Sequence, residues 1–383
     1  MIKATVLGGG MVWSVMAADL STDPDFDVTI VDLREESLSR AVQRAEAVGG
    51  KLSIKQADLS DVGALKAAIA DSDIVLGALA SKIGFQSLRA VIESGKNYAD
   101  ISFMPEDSWD LDELAKENGV TAVVDMGVAP GMSNMLSGYG ASLLKECQNI
   151  EIYVGGLPRK RSWPYEYKAG FSPADVLEEY TRPSRLVEHG EIVVREALSE
   201  PVLMDFDGLG TLESFNTDGL RSLAYTMKVP FMKEKTLRYP GHIELMRVFR
   251  ETGLFSQDRI DVDGGSVRPL DVISKLMFPK WTYEPEEEDL TIMRIITDGL
   301  DSTGKKIRHQ WDLLDYYNHG ATSMSRTTAY PCAIIARMIA KGELKMPGVI
   351  NAEQIGPQAG LVDHVLAELS KRDIQYKYQE SSL

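Results

Sequence analysis

Residues 2–7 (IKATVL) form a short apolar run with β-branched members, ending in Gly8-Gly9-Gly10, and the segment from Met11 (MVWSVMAADL) has the alanines and methionines of a helix. A strand, a glycine turn and a helix in this order give a G-x-G-x-x-G spacing physical meaning. The glycines let main-chain N–H groups approach a pyrophosphate, and the helix N-terminus adds about half a positive charge. A second buried-type run, Val28–Val31, stops at Asp32, 22 positions beyond Gly10. That is close to the offset of about 20 at which an acid meets the ribose hydroxyls of a dinucleotide. A 2′-phosphate would meet this carboxylate as a like charge, which favours NAD over NADP, and the neighbouring Arg34 softens the preference. Gly8, Gly10, Met11, Val12 and Asp32 are therefore the first cofactor-binding candidates. The third glycine position holds Trp13. An indole there is expected to swing out over the cofactor site or to push the helix away from the sheet. The competing reading is a Rossmann-type domain with an impaired site.

The strand–helix alternation continues beyond Asp32. Helical spacing over 35–48 ends at Gly49-Gly50, strands are expected at 52–57 and 74–79, and helices at 61–70 and 85–94. Two more strands, 97–102 and 121–125, flank an acidic helix at 110–118. This regular alternation is the signature of a parallel, doubly wound sheet, in which ligands sit outside the strand C-termini near the switch in strand order. Asp58, Ala78 and Leu79 are thus candidate adenine and ribose neighbours, with ordinary strand-end residues as the alternative. The loop from Gly127 to Asn134 (GVAPGMSN) is shaped by glycine and proline, and Ser133-Asn134 are placed to cap the helix that follows.

From about residue 150 the texture changes. Strands of an antiparallel or mixed kind are expected at 150–155, 191–194 and 201–206, with helices at 173–180, 220–226 and 244–252. Residues 290–299 and 305–313 read as a hairpin turning at Asp301-Ser-Thr-Gly304. An apolar helix at 325–341, with Pro331 inside it, and a helix at 359–371 are expected to return to the first domain and to orient two lobes around a cleft. The expected fold class is α/β: a Rossmann domain over 1–125, an α+β substrate domain with a mixed sheet over 126–322, and C-terminal helices over 323–383.

With 383 residues the chain is long enough for two cores. A net charge of −16 argues against a nucleic-acid groove or an anionic membrane as partner. Only Cys147 and Cys332 are present, which excludes a disulfide framework and suggests a reducing cytoplasm. No apolar run reaches about 18 residues and no signal peptide precedes the first strand. No metal is expected, because the five histidines and two cysteines lack ligand spacing. The acidic run Glu284–Asp289 reads as a solvated loop.

Several stretches of the second half concentrate basic and aromatic groups: residues 165–171 (YEYKAGF), 215–221 (FNTDGLR), 234–242 (EKTLRYPGH) and 323–326 (SMSR). Singly, each has a bland reading as solvated charge or capping group. Beside a dinucleotide domain they suggest a pocket for a small carboxylate-bearing substrate, since Arg forks match carboxylates.

These stretches also carry a family resemblance. VLGGGMV at 6–12, DISFMPED at 100–107, VVDMGVAPGMSN at 123–134, YVGGLP at 153–158, EYTRP at 179–183, NTDGLRSL at 216–223, EKTLRYPGH at 234–242 and SMSRTT at 323–328 resemble the saccharopine dehydrogenase-like group. Within it, the likeness is greatest to members that oxidise the side-chain amine of lysine. Trp13, where that group has Gly, is the departure. The resemblance implies NAD-dependent oxidative deamination of the lysine ε-amine. An ammonium of pKa about 10.4 must lose a proton before its ε-carbon gives up hydride. On this reading Asp100, Asp125 and His242 are the candidate bases. Arg221, Arg238 and Arg326 are candidates for the substrate carboxylate, Lys168 and Tyr239 for the pocket wall, and Gly127, Pro130 and Gly131 for the loop beneath the nicotinamide. The rivals are a saccharopine-type or polyamine-linked reductase and a non-catalytic ligand sensor. A homodimer is the expected assembly.

Overall fold

The computed structural model describes residues 1–8, 10–284 and 287–383. Gly9 of the glycine turn, and Pro285 and Glu286 of the acidic run, lie outside the described residues. The chain divides into two compact units, one formed by 1–139 and 325–374, the other by 140–324 and 375–383. The first unit thus takes in the loop after residue 125 as well as the two C-terminal helices. The last nine residues join the second unit.

The first unit is built on β1 (Ile2–Leu7), β2 (Phe26–Asp32), β3 (Ser53–Gln56), β4 (Ile74–Gly77), β5 (Asn97–Asp100) and β6 (Thr121–Val123). With the late strand Gly348–Ile350 on one edge, the spatial order is Gly348–Ile350, β6, β5, β4, β1, β2, β3. Every pairing is parallel. The order reverses between β1 and β4, which makes their C-terminal ends the switch point of a doubly wound sheet. The helices are α1 (Met11–Ser21), α2 (Glu35–Ala47), α3 (Val62–Ile69), α4 (Ser81–Glu93), α5 (Asp112–Glu117) and α6 (Met132–Ser142). Leu65 and Ile69 of α3, with Leu88 and Val91 of α4, pack against Leu7, Val31, Val75 and Ala122 of the sheet.

Trp13 does not swing out over the cofactor site. The indole is 1% exposed, and its Nε1–H donates to the Val6 carbonyl at 3.4 Å. It fills the space under the glycine turn, where a large apolar ring gains more from burial than from standing in solvent. Ser133 and Asn134 do not cap α6; they lie inside its first turn. The N–H groups of Met132 and Ser133 are taken by the carbonyls of Gly127 and Val128, at 2.9 and 3.0 Å.

The second unit is a nine-stranded mixed sheet. Its spatial order is Val202–Phe206, Gly210–Asn216, Phe231–Arg238, Glu146–Pro158, Asp289–Leu300, Lys306–Tyr316, Tyr376–Ser382, with Ser184–Glu188 and Glu191–Arg195 branching from Phe231–Arg238. Only the pairing of Phe231–Arg238 with Glu146–Pro158 is parallel. The helices Pro173–Thr181, His242–Glu251 and Pro269–Trp281 contribute Tyr180, Ile243, Met246, Met277 and Trp281 to a core shared with Leu157, Phe215 and Ile292. The hairpin expected at 301–304 is present, and Asp301 Oδ1 accepts from the N–H groups of Thr303 and Lys305 at 2.8 and 3.0 Å. The acidic run is not wholly a solvated loop. Asp289 is 1% exposed, and its two carboxylate oxygens accept from the N–H groups of Ser323 and Met324, at 2.6 and 2.9 Å, at the start of helix Ser323–Ala340. An acid there satisfies N–H groups that the helix itself leaves open. Among the described residues, no helix is long and apolar enough to cross a membrane.

In the first unit, helix Ser323–Ala340 and helix Leu361–Ser370 are tied to the end of α1 by charge. Arg337 Nη1 and Arg372 Nε each lie 2.6 Å from an oxygen of Asp19, and Arg337 Nε lies 3.2 Å from Asp23. Asp19 and both arginines are largely enclosed, so removal of the shared acid takes away the partner the two cations have in common and leaves Arg337 with Asp23 and Arg372 with Glu368. Asp19→Ala is expected to cost about 3 kcal/mol, read as a lower urea midpoint at unchanged slope. A loss below about 0.5 kcal/mol, the range of an exposed pair, would show that the network contributes nothing.

Candidate functional site

At the switch point of the first unit, the glycines answer to different constraints. Gly8 has φ +125°, and a Cβ there would stand 2.4 Å from the Ala78 carbonyl oxygen, so both its conformation and its packing require glycine. Its N–H donates to Val31 O at 3.1 Å, and Ala78 N–H donates to Leu7 O at 3.0 Å, which locks the exits of β1, β2 and β4 together. Gly10 has φ −85° and ψ −175°, open to any residue, and a Cβ there would meet nothing within 4 Å. The fold itself gives no reason for glycine at this position, whereas close approach of a pyrophosphate does. Gly10 precedes α1 without a side-chain cap, and the next residues, Met11 and Val12, are exposed and half-buried.

Asp32 ends β2. Its Oδ1 accepts from the Arg34 N–H at 2.8 Å, and the Arg34 Nε lies 3.5 Å away. Asp58 is exposed and accepts from Ser60 N and Oγ at 2.9 and 2.6 Å; these bonds hold its carboxyl below the ordinary range. Asp58 thus shapes its own turn at the end of β3. Ala78 and Leu79 are half-buried at the exit of β4. These residues fit a dinucleotide: Gly8 and Gly10 would admit the pyrophosphate and Asp32 would hold the ribose.

Beyond β6, Asp125 is half-buried with φ +52°, and the loop that follows is drawn tight. Gly127 N–H donates to Pro130 O at 3.0 Å, and Gly131, at φ +132°, would place a Cβ 2.1 Å from Gly127 O.

In the second unit the structure brings together four of the stretches quoted from the sequence. Glu234, Thr236 and Arg238 lie at alternate positions of one strand and share a face. Thr217, from the NTDG stretch, donates from Oγ1 to Glu234 at 2.6 Å and lies 2.9 Å from the Thr236 hydroxyl. Glu179 and Tyr180, from the EYTRP stretch, contact Arg238 at 2.7 and 3.1 Å. Arg238 also lies over the Tyr167 ring, 4.4 Å from its centroid. Its guanidinium is therefore engaged by Glu179, Tyr180 and the Leu237 carbonyl. Arg238, expected as a grip for the substrate carboxylate, is thus placed as a buried partner of Glu179.

His242, expected as a candidate base, lies enclosed. It is 1% exposed. Its Nδ1 faces the Tyr165 carbonyl at 2.7 Å and its Nε2 faces the Tyr180 hydroxyl at 2.9 Å. A carbonyl can only accept, so Nδ1 carries the proton and Nε2 accepts from Tyr180. Burial first, and then the neighbouring Arg238 charge, push its pKa down to about 3. The ring stays neutral and both nitrogens are used.

The remaining second-lobe candidates are placed as follows. Lys168 donates to Thr282 O at 3.1 Å and pairs with Glu287. Tyr239 donates to Pro158 O at 3.0 Å. Arg221 is half-buried in a left-handed conformation, φ +51°. Arg326 is 1% exposed and belongs to the first unit, where Nη2 donates to the Arg372 carbonyl at 2.9 Å.

The acid that sequence reasoning missed is Glu234. Burial, and then the nearby Glu179 and Asp218, push its carboxyl up to about 8 against the Thr217 hydrogen bond. A Cβ at Gly219 would stand 2.3 Å from it, so the glycine of NTDG makes its room. Asp218 itself is clasped by Arg185 Nε and Nη2, both at 2.8 Å. The available signal was the i, i+2, i+4 spacing of Glu234, Thr236 and Arg238, legible once the stretch is taken as a strand. Among the described residues no group of three or more His, Cys, Asp or Glu could hold a metal.

Comparison with known proteins agrees with this architecture. Mitochondrial alpha-aminoadipic semialdehyde synthase of Mus musculus is 23% identical over 91% of this chain and 45% of its own length. The chain thus spans about half the length of that relative and of its counterparts in Bos taurus and Rattus norvegicus. Carboxynorspermidine synthase of Vibrio cholerae is 24% identical over 91% of both chains. The apo saccharopine dehydrogenase (L-Glu forming) structure of Saccharomyces cerevisiae superimposes with a TM-score of 0.82 over 100% of both chains at 18% identity, which shows a shared fold. Residues 4–123 match the saccharopine dehydrogenase NADP binding domain and residues 127–374 the saccharopine dehydrogenase C-terminal domain, and the chain belongs to the saccharopine dehydrogenase family, a family of NAD(P)-dependent oxidoreductases.

Proposed function

We propose that the protein catalyses NAD-dependent oxidative deamination of the ε-amine of L-lysine, giving ammonia and 2-aminoadipate 6-semialdehyde, which cyclises to piperideine-6-carboxylate. The observation that carries this reading is Glu234, a buried carboxyl joined by Glu179 and Asp218 whose proton affinity is raised to about 8. A carboxyl raised to about 8 suits an ammonium as its proton acceptor at mildly alkaline pH. The bound nicotinamide supplies the hydride acceptor. Asp32 at the end of β2 supports NAD, since a 2′-phosphate there would face its carboxylate. Asp125, at the exit of β6, is the acid proposed on the cofactor side.

A second reading, a polyamine-linked or saccharopine-type reductase, is favoured by the likeness to carboxynorspermidine synthase along nearly the whole chain. The sensor reading loses its motive. It required Trp13 to obstruct the cofactor site, and the indole packs against β1 instead.

The direct test offers L-lysine, L-ornithine, saccharopine and polyamines with NAD⁺ at mildly alkaline pH, following absorbance at 340 nm and ammonia release. Both signals are expected with L-lysine. Turnover restricted to a polyamine or saccharopine would transfer the assignment to the second reading. NAD is expected to exceed NADP by at least about tenfold in kcat/KM, and Asp32→Ala to narrow that ratio, because only the like-charge term with the 2′-phosphate is removed. An unchanged ratio would exclude Asp32 as its origin.

Glu234→Gln is expected to lower kcat by about 10²-fold and to abolish a rising limb near pH 8. The same variant has a stability signature. A carboxyl held above its unfolded value stabilises the fold below about pH 4.5, and that contribution is lost as pH rises through about 8. The glutamine variant is therefore expected to show a flatter stability profile between those limits. An equally steep profile would mean that Glu234 is ionised throughout.

A further inference from the structure

The first unit contains a buried carboxyl that the reading above leaves unused. Asp100 ends β5 and is 0% exposed. Its Oδ1 accepts from Ser102 twice, from the main-chain N–H at 2.9 Å and from Oγ at 2.7 Å. Ser102 Oγ in turn accepts from the Leu79 N–H at 2.8 Å. An amide can only donate and a hydroxyl has a single proton, so the direction is fixed: Leu79 N–H to Ser102 Oγ, then Ser102 O–H to Asp100 Oδ1.

The main chain of the same residue holds two further strand exits. The Asp100 carbonyl accepts from Met126 N–H at 2.8 Å, just beyond β6, and the next N–H, of Ile101, donates to Gly77 O at 3.0 Å. Room for the side chain comes from Gly77, where a Cβ would stand 1.8 Å from the Tyr98 hydroxyl and 2.3 Å from Asp100 Oδ1. The segment so held, Ala78–Leu79, is the one whose carbonyl presses against Gly8.

We propose that Asp100 is a positioning residue for the dinucleotide site: through Ser102 it fixes the main chain of Ala78 and Leu79, against which the glycine turn is seated. The inference rests on the dinucleotide-binding reading of this unit and is independent of which amine is oxidised. Full enclosure keeps the carboxyl from touching a substrate amine. The relay also needs only an acceptor at Oδ1. Among the described residues Oδ2 has no hydrogen-bond partner, so it can carry a proton without disturbing the two bonds from Ser102. Asp100 is faced by Tyr98 from its own strand, by Asp125 beyond β6 and by Cys332 from helix Ser323–Ala340. Burial, with Asp125 adding to it and Ser102 opposing it, raises its carboxyl to about 7. Both of its protonation states therefore occur near neutrality, and both preserve the relay.

The test is titration of NADH fluorescence with the full chain. Ser102→Ala and Asp100→Ala are each expected to weaken NADH binding about tenfold, the loss of one or two buried hydrogen bonds. Their combination should be no weaker than either alone, since they cut one relay. Asp100→Asn, which keeps an acceptor at Oδ1, should recover affinity to within about threefold of wild type. Circular dichroism of each variant separates lost seating from lost folding. Unchanged NADH affinity in folded Ser102→Ala and Asp100→Ala would overturn the proposal, as would Asp100→Asn binding as weakly as Asp100→Ala. Wild-type protein that binds neither NADH nor NADPH would overturn the dinucleotide reading itself, and this inference with it.

Discussion

The contact between Gly8 and the Ala78 carbonyl is the constraint on which the first unit depends. A parallel sheet brings the exits of β1 and β4 side by side at the point where strand order reverses, and the main chain must turn there without side-chain bulk. Glycine at position 8 permits the turn, and the reciprocal bonds from Gly8 to Val31 and from Ala78 to Leu7 close it. What lies beneath then becomes consequential. Trp13 fills the volume under the turn and donates to Val6, so a residue that departs from the glycine pattern contributes packing to the same loop. The glycine at position 10, by contrast, is required by nothing among the described residues, and it is the clearest mark of a ligand that comes close to the backbone.

The second unit depends on a different device. The parallel pairing of Phe231–Arg238 with Glu146–Pro158, in a sheet otherwise antiparallel, puts strand 231–238 in the interior, with neighbours on both sides. Polar residues on such a strand must find partners within the protein. Glu234 finds Thr217, Thr236 finds the same hydroxyl, and Arg238 finds Glu179 and Tyr180. The series continues from Tyr180 into His242 and ends on the Tyr165 carbonyl. Each donor meets an acceptor along that line, while burial and the Arg238 charge hold the histidine below its ordinary pKa, to about 3.

The fold was legible in the sequence where hydrophobic period and turn chemistry agreed. The strand–helix alternation of the first 125 residues, the Asp301–Gly304 hairpin and the helix containing Pro331 all carry that agreement. Strands with mixed polarity were not legible. Tyr376–Ser382 (YKYQESS) lies on an exposed sheet edge and has no apolar face to announce it. Phe231–Arg238 hides its period because charged residues occupy both of its faces. For the site, identity of residue types was readable and their state was not. Asp32 and Gly8 could be located at the exits of β2 and β1 from spacing alone, because that follows from backbone position. The part played by Arg238, His242 or Arg326 depends on what surrounds it, and those neighbours come from distant segments of the chain.

The acids of this chain bring out the same distinction in physical terms. Asp58 and Asp100 each accept from a serine two residues later, through both its N–H and its hydroxyl. In the exposed turn these bonds lower the Asp58 carboxyl; in the core, desolvation outweighs the same pair of bonds and raises Asp100 to about 7. Local sequence therefore writes the hydrogen-bond pattern, and burial decides its electrostatic sign. Glu234 carries the principle further, since its neighbours Glu179 and Asp218 add repulsion to burial. A carboxyl raised in this way is unfavourable for the fold as an anion and is best satisfied as a proton carrier or beside a cation. That preference, written by two separate segments converging on one strand, is the physical reason to look for an amine as the substrate's reacting end.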